Sequence, residues 1–469
     1  MAITFANIFF LAVIFVLFYS KKDEVFRIRV LLYGSLLFYF YYEPFLTPLM
    51  GVITLVSYLA GNALAAFPKY KKSILWVFLL SLLCLYYPFK YNGTFAIIMN
   101  DIFHFKGLRW LYLPLGLSFY SYKTMTYIFD IYYERSLPQK SIEKYVLFIS
   151  YFPQIFCGPI MGAEEFFKQL KFDQDYHHDN VFHGLRTIII GLFKKLVLAN
   201  NLILLIQPAY FTPSQASGLE WILICVLTRF YVYYDFSGYS DISNGVSLLF
   251  GIKVKKNFDL PFVSKSIGEF WRRWHISLAA WIRDYVYYPL VSKFSSYAGI
   301  YISLIISFVC LGLWHGDHIN YILYGFINGV AVAASTYFMK KNRLAPPAPK
   351  WKMIMSRFGL YFFLIFMPSF LLLSPDSATF FEIVKAFLKT ETWFATDYIS
   401  GLNILSIVFW VIPLFMIFEY VLVFYGEKLR LRFEEVSKPQ RLIWLVFGIF
   451  VTFSLLSPQI NYRFLYQGF

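Results

Sequence analysis

Apolar residues in this chain collect into runs of about the length a membrane-spanning helix needs, roughly 20 residues, and polar residues collect between them. The runs fall near 2–20, 28–42, 45–66, 73–89, 110–128, 184–206, 219–240, 298–314, 319–339, 353–373, 400–425 and 442–457. No positive residue precedes the first run, its basic pair Lys21-Lys22 follows it, and no A-x-A site stands before that pair. It is therefore expected to be a first span with the N-terminus outside, not a cleaved leader. Lys and Arg concentrate in cytoplasmic loops, which assigns Lys21 to Arg29, Lys69 to Lys72, Lys253 to Lys256, Lys340 to Lys352 and Lys428 to Arg441 to the cytoplasm. The stretches 43–48, 207–218 and 374–398, with almost no basic residues, suit the outside. Pro153, Gly158 and Pro159 interrupt 145–162, so that stretch is expected to be a broken, re-entrant segment buried in protein. Twelve spans with both termini outside then satisfy every cluster.

Composition agrees. The 469 residues are 59% hydrophobic, 22% aromatic and only 15% charged, with a mean hydropathy of +0.58. A soluble domain carries about a quarter charged residues, so a water-soluble globule, a disordered chain and a disulfide scaffold are excluded. Cys84, Cys157, Cys225 and Cys310 lie in apolar runs without paired spacing and read as small hydrophobes. The net charge of +15 would suggest nucleic acid on a soluble protein. Here its clusters alternate with apolar runs, so it reports topology; the expected partner is the lipid bilayer and not nucleic acid. No polar stretch is long enough for a separate soluble domain. The longest, about 163–183, holds Glu164, Glu165, Asp173, Asp175, His177, His178 and Asp179 and reads as a solvated loop. The expectation is one all-α, polytopic membrane-embedded domain over 1–469. Neither an internal repeat nor an inverted pair of broken helices is found, which argues against a secondary transporter.

Ionisable groups in apolar surroundings are costly and mark functional candidates, and three regions qualify. Tyr233-Tyr234-Asp235-Phe236-Ser237-Gly238-Tyr239-Ser240-Asp241 reads as the polar end of a span, a helix terminus capped by Asp and Ser. In Asn257 to Leu290, apolar residues at 267, 270, 271, 274, 278, 281, 282 and 285 follow helical spacing. That predicts an amphipathic helix at the membrane surface with Trp anchors, which leaves His275 on the apolar border unexplained. Leu313-Trp314-His315-Gly316-Asp317-His318-Ile319-Asn320 reads as a short tip between two uncharged runs. The spacing of His315, Asp317 and His318 is not that of helical metal ligands, and no metal is expected.

Together these regions resemble the membrane-bound O-acyltransferase family, in its bacterial branch that modifies alginate, peptidoglycan and teichoic acid. The resemblance rests on Tyr151-Phe152-Pro153-Gln154 with Gly158-Pro159-Ile160, on Gly191-Leu192-Phe193-Lys194-Lys195, and on Tyr234 to Asp241. It continues through Phe270-Trp271-Arg272-Arg273-Trp274-His275-Ile276-Ser277-Leu278, Arg283-Asp284-Tyr285 and Leu313-Trp314-His315-Gly316 with Asn320, to the tail Phe464 to Phe469. Its core motifs lie in about 150–320. It implies a ring of about 11–13 helices around a central tunnel, with re-entrant segments and an active site within the bilayer. Asp317-His318 and Gln467-Gly468 depart from the alginate pattern.

By this resemblance His315 is the catalytic histidine and His275 the second site residue, a position held by Asn or Asp in other branches. Asn320, Trp274, Trp314, Asp235, Ser237 and Gln154 are supporting or substrate-facing candidates, and Arg272 and Arg273 are candidates for the phosphates of coenzyme A. No bound cofactor is expected; acetyl-CoA is the expected donor substrate. A neutral imidazole suits removal of a hydroxyl proton near pH 7, and the resemblance implies O-acetylation of an envelope polysaccharide in the bacterial cytoplasmic (inner) membrane. The expected partner is a separate extracytoplasmic SGNH-type, esterase-like protein or a small carrier. The alternatives are D-alanyl transfer to teichoic acid, a membrane transporter and a structural scaffold.

Overall fold

The computed structural model describes residues 5–103, 112–172, 178–316, 318–341, 349–372, 377–389 and 436–455, with single positions between 417 and 432. Among these residues the regular structure is helical, without strands. The run near 400–425, Asp317, Asp173 to His177 and the tail motif lie almost wholly or wholly outside them.

Among the described residues, six helices are long and apolar enough to cross a bilayer: Thr47–Ala66, Pro68–Lys90, His178–Phe211, Tyr297–His315, Ile319–Lys341 and Lys350–Leu371. Twelve were expected. Of the other six runs, the one near 400–425 lies almost wholly outside the described residues, 110–128 gives the 16-residue helix Leu117–Tyr132, and the remaining four are shorter or more charged. Phe5–Ser20 (α1) is apolar but has 16 residues. Glu24–Tyr42 (α2) carries Glu24, Arg27 and Arg29. Lys438–Ser454 has 17 residues. The run 219–240 lies in a 32-residue helix, Gly218–Leu249, which carries Glu220, Arg229, Asp235 and Asp241. That helix also corrects the reading of 233–241 as a helix terminus. Asp235, Ser237 and Ser240 are buried within it, and Asp235 pairs with Lys195, so this stretch is the interior of a helix and not its end.

The chain forms two compact units, one built from residues up to Ile188 with Tyr239–Lys256, the other from Ile189–Gly238 with Asn257–Asn461. In the first unit, Thr47–Ala66 (α3), the helix Lys71–Lys90 (α4) and the buried helix Leu117–Tyr132 (α5) pack on one another, and α2, α3 and α5 pack against Ile142–Ser150 (α6). Nine residues of α6 rise only about 14 Å. Turns and irregular backbone follow through Gly162, nearly all of it buried, so 142–162 does not form a crossing helix.

The basic clusters of this unit meet at one end. Arg27 donates to the Lys21 and Phe172 carbonyls, both at 2.9 Å. Arg29 pairs with Glu143 at 3.1 Å and Lys144 with Glu24 at 3.2 Å. Lys71 pairs with Glu134. Lys255 reaches Glu165 at 2.8 Å, and Gln169 exchanges hydrogen bonds with the Lys253 backbone. The chain therefore enters 142–162 at the basic end and returns to it.

Candidate active site

The second unit holds both histidines. Its frame is the antiparallel hairpin of Tyr297–His315 (α7) and Ile319–Lys341 (α8). Two glycines let these helices touch: a Cβ on Gly312 would stand 2.2 Å from the Tyr321 carbonyl oxygen, and one on Gly325 would stand 2.3 Å from that of Phe308. The close approach fixes the tip. His315 ends α7 at 6% exposure, with Tyr321 and Tyr324 of α8 at 6.1 and 6.0 Å between ring centroids. Asn320 is buried in the first turn of α8, whereas His318 is exposed.

The segment carrying His275 departs from expectation. The spacing predicts one helix from 267 to 285, and the structure has two, Ile267–Arg273 (α9) and Ile276–Ile282 (α10), separated by extended Trp274 and a left-handed His275 at φ 44°. The reason lies in the preceding loop. The Asn257 carbonyl accepts from Ile276 N–H at 2.9 Å, and its side-chain oxygen accepts from the Ser277 N–H and hydroxyl at 3.1 and 2.9 Å. Asp259 N–H donates to the Arg273 carbonyl at 2.9 Å. These bonds replace the helical ones that a left-handed residue cannot make. His is among the few side chains that adopt this conformation with some ease. Upstream, Ser266 caps α9 by accepting from Glu269 N–H at 3.2 Å. The Lys265 N–H, and then the Arg273 guanidinium, hold the Glu269 carboxyl below the usual carboxylate value.

The break turns His275 inward, to 3% exposure. Its ring lies 4.6 Å from Phe236 and 5.9 Å from Trp314, and Trp314 lies 4.8 Å from the His315 ring. Both imidazoles therefore stand against one indole. Trp271 meets Phe308 at 5.0 Å, so α9 runs alongside α7 towards its His315 end instead of resting apart from it. That brings together two histidines 40 positions apart in the sequence.

Two residues at this site were not among the site candidates read from the sequence: Arg229 went unnoticed and Lys195 was quoted only within a motif. Arg229, 2% exposed, places its guanidinium 4.0 Å from the Trp274 ring centre and 5.0 Å from that of Phe270, and Phe270 stacks on Trp274 at 5.4 Å. A desolvated cation over an indole is strongly attracted, so Arg229 clamps the residue before His275. Lys195 forms a buried ion pair with Asp235. Lys195 sits in a π-helical stretch, Phe193–Ala199, held against Gly238, where a Cβ would meet the Gly191 carbonyl at 2.8 Å. The signals were present: an arginine and a lysine inside apolar runs default to functional candidates.

The remaining candidates separate. Trp274 and Trp314 are buried beside the histidines, and Ser237 is buried on the same helix as Asp235. Arg273 spans Glu269 at 3.1 Å and Asp259 at 3.5 Å, while Arg272 is exposed. Gln154 belongs to the first unit, buried near Gly158 and Ser243.

Comparison with known proteins gives the family of the chain. The family model for the membrane-bound O-acyltransferase family matches residues 133–374. Among similar proteins, the probable alginate O-acetylase AlgI of Pseudomonas aeruginosa is 30% identical over 328 residues, covering 68% of this chain and 63% of that protein. The peptidoglycan O-acetyltransferase of Helicobacter pylori is 30% identical over 359 residues, covering 70% and 68%. The teichoic acid D-alanyltransferase of Bacillus subtilis is 30% identical over 266 residues, covering 54% and 67%. The chain thus spans a little under two thirds of the Pseudomonas protein's length. A polytopic, all-helical chain whose paired histidines lie inside the matched segment is, on this evidence, a member of the membrane-bound O-acyltransferase family.

Proposed function

We propose that this protein transfers an acetyl group from a cytosolic thioester for O-acetylation of an extracytoplasmic envelope polysaccharide. The observation that carries the reading is the pair of buried imidazoles against Trp314. His315 takes the proton of an acceptor hydroxyl as its oxygen attacks the thioester carbonyl. The C–S bond breaks, the ester forms, and the thiolate recovers a proton. General-base help contributes roughly 10²–10⁴-fold, and an oxyanion donor a comparable amount. His275 or the Asn320 amide supplies that donor or orients the acceptor. Acetyl-CoA is the donor substrate; Arg272, exposed on α9, suits its phosphates better than Arg273, which two carboxylates already engage.

The bacterial cytoplasmic membrane is the proposed location, and an SGNH-type extracytoplasmic protein or small carrier the proposed recipient. Peptidoglycan is favoured over alginate-like exopolysaccharide as the commoner envelope polymer. D-alanyl transfer to teichoic acid is the second reading, favoured by the 30% identity to the Bacillus subtilis enzyme.

The test is deletion of the gene and its restoration as wild type or His315→Ala, with ester-linked acetate released by mild base from each envelope polymer. Wild type should restore the acetate and His315→Ala should not, at comparable protein level. Full activity in the variant would remove His315 from the chemistry. Acetate unchanged on deletion, with ester-linked D-alanine lost, would install the second reading.

A further inference from the structure

At the basic end of the first unit a cleft of about 780 Å³ opens between the end of α3, the start of α4, the end of α5 with its following loop, and the short helix Ala163–Phe167. This volume lies within the range of small-molecule sites, roughly 300–1,000 Å³. Four cations line it, Lys71, Arg135, Lys168 and Lys171, against the carboxylates Glu134 and Glu164. Beside them lie Leu64, Tyr127, Ile131, Leu137 and Phe167.

We propose that this cleft holds the phosphate headgroup of an anionic phospholipid of the cytoplasmic leaflet, with its acyl chains passing over Leu137. Three observations carry this. First, the charge pattern assigns Lys69 to Lys72 to the cytoplasmic side, and the other cleft segments meet this stretch, where anionic lipids attract juxtamembrane basic residues.

Second, the cations are presented for a ligand. Lys168 and Glu164 are 71% and 51% exposed in their side chains, and an exposed i,i+4 pair contributes little, so Lys168 turns onto a phosphate with little loss. Arg135 sits in a loop pinned from both sides. Its N–H and that of Ser136 donate to the Asp130 carbonyl at 2.7 and 3.3 Å. Glu134 before it holds a left-handed φ of 60°, costly for this side chain, with its carboxylate on Lys71. The Arg135 guanidinium lies 3.8 Å from the Asp130 carboxylate and 5.1 Å from the Tyr133 ring centre, contacts that hold the fork at the cleft, and a guanidinium fork suits phosphate oxygens.

Third, Leu137 is 88% exposed at the edge of this charged cleft. A leucine so placed is a liability in water and fits the boundary between headgroups and hydrocarbon. A soluble anion would use the cations alone; a phospholipid uses both.

The experiment titrates the full-length protein, purified in mild detergent, with phosphatidylglycerol or phosphatidylethanolamine and reads retained lipid by native mass spectrometry. Wild type should retain phosphatidylglycerol about tenfold more strongly. Lys168→Glu with Lys171→Glu should abolish that preference, Lys168→Arg with Lys171→Arg should keep it, and Leu137→Ser should weaken retention of both lipids. The melting temperature in detergent confirms that the exposed replacements leave the fold intact. Equal retention of the two lipids by wild type, or an undiminished preference in the glutamate variant, overturns the proposal. Displacement of phosphatidylglycerol by glycerol 3-phosphate at equal concentration also overturns it, in favour of a soluble phosphate.

Discussion

Asp235 shows how a residue's type and its role come apart. A carboxylate inside an apolar run announces itself in sequence, and its natural reading is a substrate contact. The structure gives it Lys195 as a partner, with both groups desolvated. Removing one member of a buried pair leaves an uncompensated charge, at a cost of about 3–5 kcal/mol. Asp235→Leu alone, or Lys195→Met alone, should therefore sharply lower the yield of monodisperse protein on size exclusion and its melting temperature. The double substitution should recover most of both. A purely substrate-facing Asp235 would instead lose acetyl transfer with no change in folding, and the double substitution would rescue nothing. Arg229 belongs with this pair: that it lies in the run was legible, but that it stacks on Trp274 was not, because the contact joins residues 45 positions apart.

Among the elements, the hairpin of α7 and α8 was the most legible and the segment around His275 the least. Two uncharged runs with a short polar link can hardly avoid packing against each other, and the glycines at 312 and 325 show how closely. The stripe from 267 to 285 was correctly seen as apolar, yet the period carries no information about a one-residue left-handed interruption. That interruption is decided by Asn257 and Asp259, which belong to another segment and act through hydrogen bonds. Glycines offer a test of the packing argument. Gly312→Ala places a methyl group against a carbonyl and should destabilise the protein by about 1–3 kcal/mol or more. In Gly359→Ala the new methyl group meets nothing within 4 Å, and the change should raise the melting temperature slightly, by the helix preference of Ala over Gly, about 0.5–1 kcal/mol. Equal effects of the two would refute the close-approach account.

For the whole molecule, the distribution of Lys and Arg proved the most informative feature of the sequence. It grouped 21–29, 69–72 and 253–256 on one side, and the ion pairs tie these stretches to 134–144 and 163–172 at one end of the first unit. Single cysteines introduced at Lys69, Lys140 and Lys253 should all react with a membrane-impermeant maleimide only after the cytoplasmic face is exposed. Labelling of Lys253→Cys from the outside would mean that 142–162 crosses the bilayer. The division of the chain into two units was not legible, since hydropathy counts helices and says nothing about which of them share a core.

That division bears on how the protein is made. The first unit is interrupted: its core includes Phe250, packed on Phe18 at 5.2 Å and Phe152 at 6.0 Å, and Leu249, whose carbonyl accepts from the Tyr19 hydroxyl at 2.7 Å. A nascent chain that has emerged only through Ile188 lacks these pieces, and must first thread fifty residues belonging to the other unit. Biogenesis of the two halves is thus interleaved. The amino-terminal helices wait in the bilayer, exposed to quality control, until the second stretch of their own core arrives.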